Sequence, residues 1–240
     1  MTPLSIVCWR WRPASGYRST FAPETVTVLR NMVARHYQRP HRFVCVTDAP
    51  SEIASDIATI QDWGDFTDLV SPSGDKNPSC YRRLRMFDPA ISEVFGHRFV
   101  SLDLDTVIVG DMVPVWDRPE DFVIYGDTNP STFYNGSMML MTAGARPQVW
   151  RDFDPVRSPR LSHAAGHHGS DQGWISYCLG PLEAKWSKGD GVYSYRNDIR
   201  STTGHRNPLP GDARIVLFHG NTDPWSEAGQ NLPWVRRHWC

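Results

Sequence analysis

The stretch "FVSLDLDTVIVGDM" (99–112) sets Asp103 and Asp105 two residues apart, directly after the apolar run of Phe99, Val100 and Leu102. Packing gives a hydrophobic strand no reason to end in paired acids. In extended backbone residues i and i+2 point the same way, so the two carboxylates can converge on one ligand. Two hard oxygen donors with open positions suit Mg²⁺ or Mn²⁺, and such an ion keeps places for phosphate oxygens. The spacing by itself is common, since a chain this rich in aspartate contains about 1.7 D-x-D pairs by chance. A second pair, Asp152/Asp154 in "VWRDFDPVR", has no strand before it and reads as a solvated helix end or turn. Only Asp103/Asp105 has the strand context. On pattern and context alone, a metal site and a plain strand-end turn stand equally open.

The elements around this pair follow an alternation of strand and helix. "LSIVCW" (4–9) is an apolar run of strand length, and "RFVCVTD" (42–48) is a second strand ending at the turn "DAPS". Between them, residues 22–38 carry Val26, Leu29, Val33 and Tyr37 at helical spacing, with Pro23 and Glu24 suited to a first turn. "CYRRLRMFDP" (80–89) reads as helical with Tyr81, Leu84 and Phe87 or Phe95 inward. "HRFVSLDLD", "DFVIYGD" (121–127), "GSMMLMT" (136–142) and "ARIVLFHG" (213–220) are further strands. "SDQGWISYCLG" (170–180) predicts a helix with Ser170 as N-cap and Gly180 as its stop. This pattern predicts an α/β fold, a mostly parallel central sheet flanked by helices, whose ligands bind at the carboxyl edge of the strands. "SPSGDKNPS" (71–79) and "RSPRLSHAAGHHGS" (157–170) are the loosest stretches and read as functional loops. The tail 226–240 is aromatic and partly basic, and is expected to pack across the surface.

Composition narrows the partners. Among 240 residues the formal net charge is -1, so binding of nucleic acid by bulk charge is not expected, and local clusters must handle phosphate. No apolar run approaches the roughly 18 residues that a membrane span needs. The N-terminus "MTPLSIVCWRWRP" lacks a basic region followed by a long apolar one, which predicts no signal peptide. None of Cys8, Cys45, Cys80, Cys178 and Cys240 forms a C-x-x-C pair, arguing against a thiolate zinc site. Cys8 and Cys45 sit in strand-like runs as small buried hydrophobes. Reduced thiols and a cytoplasmic location are the expectation.

Five segments in order raise a more specific expectation. "RFVSLDLDTVIVGDM" resembles the D-x-D segment of GT-A-fold glycosyltransferases, especially the retaining glycogenin-like and galactosyltransferase-like (family 8-type) group. "YRRL" (81–84) resembles that family's Y-x-R-L helix, "FYNGSMMLM" (133–141) its F-N-x-G strand, "GSDQGWISY" (169–177) its D-Q helix start and "LFHGNTDPW" (217–225) its late loop ending in Pro-Trp. The resemblance covers about 80 to 225. It implies a GT-A (nucleotide-diphospho-sugar transferase) fold spanning 1–240 as one domain, with a nucleotide-binding half (1–102), a metal, donor-sugar and acceptor half (103–225) and a tail (226–240). The implied reaction moves a hexose from a nucleotide sugar, UDP-linked, to an acceptor hydroxyl with retention. A saccharide, a lipid-linked sugar or a protein could supply that hydroxyl.

The resemblance also assigns residues. It implies Asp103, Asp105 and His219 as ligands of Mn²⁺ or Mg²⁺, which acts as a Lewis acid on the diphosphate leaving group. Arg83 is implied near the donor, where a guanidinium fork can clamp phosphate or sugar oxygens; the plain alternative is a surface Arg in "RRLR". Gly220 and Asn221 could let backbone N–H groups approach the diphosphate; the plain alternative is an ordinary turn. Asp127 and Asp171 could each accept from sugar hydroxyls, although Asp171 could equally be a first-turn acid. Gln172 corresponds to the family's amide near the anomeric carbon; an amide is a poor nucleophile, which favours a front-face route over a double displacement. Asn135 hydrogen-bonds donor sugar or backbone. Trp9, Trp11 and Tyr17 could stack uracil or sugar, or build strand core. His163, His167 and His168 read as loop histidines, one of them near the acceptor.

The chain departs from the pattern with Asn135-Gly136-Ser137 in place of Asn-x-Gly. Asp223 stands where the family commonly carries a diphosphate-binding Lys before Pro-Trp, which calls for a substitute cation such as Arg83, Arg82 or Lys76, or else signals weakened activity. Two other readings remain: a nucleotidyltransferase on a similar sheet, disfavoured because "WRWRPASGYRS" has only Gly16 for a phosphate loop, and a catalytically inactive nucleotide- or sugar-binding module.

Overall fold

The structure, a computed structural model, describes residues 3–13, 19–73, 80–126, 131–200 and 207–240. Ten strands form two sheets: β1 (Leu4–Arg10), β2 (His41–Thr47), β3 (Ala58–Gln61), β4 (Arg98–Leu102), β5 (Thr106–Ile108), β6 (Phe122–Gly126), β7 (Tyr134–Thr142), β8 (Ala184–Trp186), β9 (Val192–Ser194) and β10 (Ile215–Leu217). The larger, 7-stranded sheet runs β3-β2-β1-β4-β7-β6-β8. Its pairs are parallel except on the two sides of β7, which is antiparallel to β4 and β6. The smaller, 3-stranded sheet runs β5-β10-β9.

Burial follows the pattern that parallel strands require. All of β1 is buried, as expected of a strand covered on both faces. Its alternate side chains feed two cores: Ile6 and Cys8 join Val26, Leu29 and Val33 of the helix Glu24–His36, whereas Val7 and Trp9 join Tyr81, Leu84, Phe87 and Phe95 on the opposite face. Residues 80–87 wind as 3₁₀ turns rather than an α-helix. Tyr81, Leu84 and Phe87 recur every third position, the 3₁₀ period, and Arg82, Arg83 and Met86 are buried with them. Cys8 and Cys45 are register partners across β1 and β2 and are buried thiols, and burial pushes the Cys8 thiol up.

Several expectations need correction. Ser170 stands at the start of the helix Asp171–Leu179, yet its hydroxyl makes no capping bond there; it accepts instead from Cys80 N at 3.3 Å. The stretch read as a loop over 157–170 contains a helix, Ser158–Ala164. β3, β8 and β9 were not anticipated, because three or four residues are too few to carry a period. Asp152 pairs with Arg151 at 2.7 Å and Asp154 accepts from Val156 N and Arg157 N, the turn chemistry expected of that pair. Among the described residues no helix is long and apolar enough to cross a membrane.

The tail folds back as expected. Leu232 and Val235 are buried, Trp234 donates to Asn207 O at 2.9 Å, and Arg35 donates to the carbonyls of His238 and Cys240.

Candidate active site

The site is built where the two sheets meet. β4 ends at Leu102, and Asp103 N donates to Ser137 O at 2.9 Å, tying the D-x-D turn to β7. Opposite β6, the register of β7 jumps between Ile124 and Tyr125, from Met139 to Asn135. Residues 136–138 therefore bulge out of that ladder, as irregularities beside functional sites often do. Within this stretch Gly136 O accepts from Arg83, and Ser137 O accepts from Asp103 N on the β4 side.

Arg83 is the centre of the first cluster. Its side chain is 5% exposed, it pairs with Asp103, and it meets Asp171 at 2.7 Å, where the carboxylate is 2% exposed. It also donates to Gly136 O at 3.2 Å. Burial alone would push Arg83 down, but Asp103 and Asp171 more than offset it and hold the guanidinium above its ordinary value. One guanidinium serves two carboxylates, so burial still pushes the more enclosed Asp171 up against the pull of Arg83. The cluster also explains the glycine of "FYNG": a Cβ on Gly136 would lie 2.6 Å from Arg83 Nη2 and 3.2 Å from Asp171 Oδ2. Cys80 lies half-buried beside these charges, and burial pushes its thiol up to about 12.

Gln172 follows Asp171 in the first turn of its helix, and its side chain lies against Gly169, whose φ of +92° and 2.7 Å Cβ approach to Gln172 Cγ both demand glycine. Asn135 is buried and its Oδ1 accepts from Ser137 N at 2.9 Å, a backbone partner of the kind expected.

The second cluster lies at one end of the small sheet. β5 begins just after Asp105, and β10 runs into Phe218, His219 and Gly220, with Phe218 N donating to Asp105 O at 2.9 Å. The His219 ring bonds through Nε2 to Ser194 Oγ at 2.8 Å. Gly220 has φ +108°, in the left-handed region that favours glycine, and Asn221 is exposed. Asp103, Asp105 and His219 supply the donor types that a hard divalent ion takes, and backbone pairing brings their segments to one edge. Among the described residues, however, no group of three or more His, Cys, Asp and Glu is disposed to hold a metal ion: Asp103 is turned to Arg83 and His219 to Ser194.

Asp127, Tyr17 and Lys76 lie outside the described residues. Trp9 is a core residue whose indole N–H donates to Ser101 Oγ at 3.0 Å, so it is not a stacking platform. Trp11 is covered by the Arg82 guanidinium at 4.5 Å. His167 bonds Ser131 O at 2.6 Å, and the His163 and His168 rings lie 5.9 Å apart. The sequence gives no signal for two features: Ser194 as the partner of His219, and Arg196 over Gly220.

No protein-family model and no curated protein matches the chain. Solved structures do. The galactosyltransferase LgtC, in complex with donor and acceptor sugar analogs, superposes with a TM-score of 0.61 at 12% identity, over 98% of this chain and 96% of that one. The glycosyltransferase GlyE of Streptococcus pneumoniae TIGR4 gives 0.59 at 11% identity over 99% of this chain and 61% of its own. The bifunctional glycosyltransferase WbbM gives 0.57 at 13% identity over 98% and 51%. A mixed sheet flanked by helices, a second small sheet beyond the end of β4 and a match to these structures over nearly all of this chain make its fold that of the GT-A glycosyltransferases.

Proposed function

We propose that this chain is a hexosyltransferase, one GT-A domain that moves a hexose from a nucleotide sugar, UDP-linked, to an acceptor hydroxyl. The observation that carries the reading is the buried Arg83 held between Asp103 and Asp171, beside the bulged strand β7. A guanidinium and two carboxylates enclosed at the ligand edge of such a sheet are costly to desolvate, and they match the need to grip a polyol and a diphosphate. Asp103, Asp105 and His219 would hold Mn²⁺ or Mg²⁺ once their side chains turn toward one another. Bound there, the ion supplies Lewis-acid stabilisation of the leaving diphosphate.

The remaining roles fall to side chains. Asp171 and Asp127 accept from sugar hydroxyls and fix the ring. Asn135, already bonded to the backbone, offers its amide N–H₂ to the donor. Gln172 lies beside the anomeric carbon, and its amide orients rather than attacks, which favours retention on the front face. The bond from the anomeric carbon to phosphate oxygen breaks, a bond to the acceptor oxygen forms, and the acceptor proton leaves with the diphosphate. Saccharide, lipid-linked and protein acceptors all present such a hydroxyl.

A second reading, a nucleotide- or sugar-binding module without turnover, draws on Asp223, a buried acid in the loop where the donor phosphates would lie. A thermal-shift screen of nucleotides and nucleotide sugars, with and without Mn²⁺, tests both, since ligand binding stabilises the folded state by mass action. UDP-sugars are expected to raise Tm only with the metal. Asp103→Ala should abolish the metal-dependent shift, whereas Asp152→Ala should leave it unchanged. An undiminished shift in Asp103→Ala removes the metal site. Release of free sugar separates the enzyme from the binder.

A further inference from the structure

A departing diphosphate needs positive charge, and most cations near this edge are already committed. Arg83 is shared by Asp103 and Asp171. Arg82 pairs with Asp62 at 2.6 Å in a nearly buried bridge. Arg10 and Arg12 both meet Glu52 at 2.6 Å. Asp223 brings a negative charge to the loop 217–225 itself.

Arg196 differs from all of these. Its stem crosses the backbone of Gly220, where an added Cβ would lie 3.3 Å from Arg196 Cδ, 3.7 Å from Nη1 and 4.0 Å from Nε. Its side chain is exposed, and among the described residues no carboxylate pairs with it.

The placement is held by neighbours on both sides. β9 and β10 run parallel, so Tyr195 and Arg196 leave the small sheet at the same end as Phe218, His219 and Gly220. The Tyr195 ring stacks on Phe218 with centroids 4.5 Å apart and planes at 9°. Ser194 Oγ meets His219 Nε2 at 2.8 Å and accepts from Asn197 N at 3.0 Å. Ser194 N donates to Asp198 Oδ2 at 2.8 Å, closing the turn that carries Arg196. Thus two consecutive residues before Arg196 lock onto the two consecutive residues before Gly220.

We propose that Arg196 is the diphosphate-binding cation of this site, reaching across Gly220 to the β-phosphate of the nucleoside diphosphate. The assignment rests on the nucleotide-sugar reading above. It fits the left-handed Gly220, because a Cβ there would press on the arginine stem at 3.3 Å from Cδ. A guanidinium at this point contacts the donor directly and does not require Arg83 to leave the buried Asp171.

The test measures binding by calorimetry in the presence of MnCl₂, using UDP and uridine as probes, with the other nucleoside diphosphates run on the wild-type chain first. Arg196→Met keeps the stem over Gly220 and removes the charge. It should weaken UDP binding by about tenfold or more, the loss expected of a charge-assisted hydrogen bond, and leave uridine unchanged. Arg196→Lys should recover most of the loss. Equal UDP affinity in Arg196→Met and wild type overturns the assignment while the nucleotide-sugar reading stands. A parallel loss of UDP and uridine makes Arg196 a packing residue and also overturns it. A wild-type chain that binds no nucleoside diphosphate removes the nucleotide-sugar reading and this assignment together.

Discussion

The two arginines of the site live in opposite surroundings. Arg83 is 5% exposed and paired between carboxylates at the end of β4 and at the start of the helix Asp171–Leu179, with the Gly136 carbonyl of β7 as a further acceptor. Arg196 is exposed, on a wide turn after β9, with its stem over a glycine and no carboxylate partner among the described residues. A buried, paired charge is structural capital: removing it strands its partners in low dielectric. An exposed charge with no carboxylate partner among the described residues contributes little to folding and is available to a ligand. The comparison therefore predicts that stability effects concentrate at Arg83 and that binding effects without stability effects concentrate at Arg196.

The largest expected effect is on Arg83. Arg83→Met leaves Asp103 and Asp171 without their cation and should lower folding stability by about 3–5 kcal/mol, read from urea denaturation. A loss under about 0.5 kcal/mol, the level of an ordinary surface change, would mean that the cluster is not charge-balanced as described. Next comes Gly136→Ala. Its methyl would fall 2.6 Å from Arg83 Nη2, and such overpacking costs about 1–3 kcal/mol. An unchanged denaturation midpoint would show that Arg83 moves aside freely. Ser194→Ala should be milder. It removes the acceptor of Asn197 N and the partner of His219, a loss of about 1–2 kcal/mol. Because the same hydroxyl fixes the Arg196 turn, UDP affinity should fall with it; stability lost with affinity unaltered would uncouple that turn from the ligand edge.

Much of the large-sheet half could be read from residue order. Val26, Leu29 and Val33 mark the helix Glu24–His36 because a long amphipathic helix repeats its apolar stripe several times. "LSIVCW" and "RFVCVTD" mark β1 and β2 because strands covered on both faces are continuously apolar. Asp103 and Asp105 declare themselves by following such a strand. The small sheet was mostly hidden. β5 and β9 are three residues each, too short for any period, and the pairing of β5 with β10 joins Thr106–Ile108 to Ile215–Leu217, far apart in the chain. Ser170 looked like a cap by type, but its hydroxyl is taken by Cys80 N, a partner 90 residues away. Trp9 looked like a possible platform, and only the second core on the far face of β1 shows it to be enclosed.

The sequence by itself determined the α/β alternation, the position of the acidic pair at a strand end and the run of site segments in order, because local period and residue type carry that information along the chain. The tertiary structure decided which charges neutralise one another and which remain available. Arg82, Arg83 and Arg196 are the same residue type, and although "YRRL" singles out Arg83, nothing in the chain around them shows which charge each would meet. Their roles are set by Asp62, by Asp103 and Asp171, and by Gly220, partners that strand pairing and burial bring within ångströms from distant parts of the sequence.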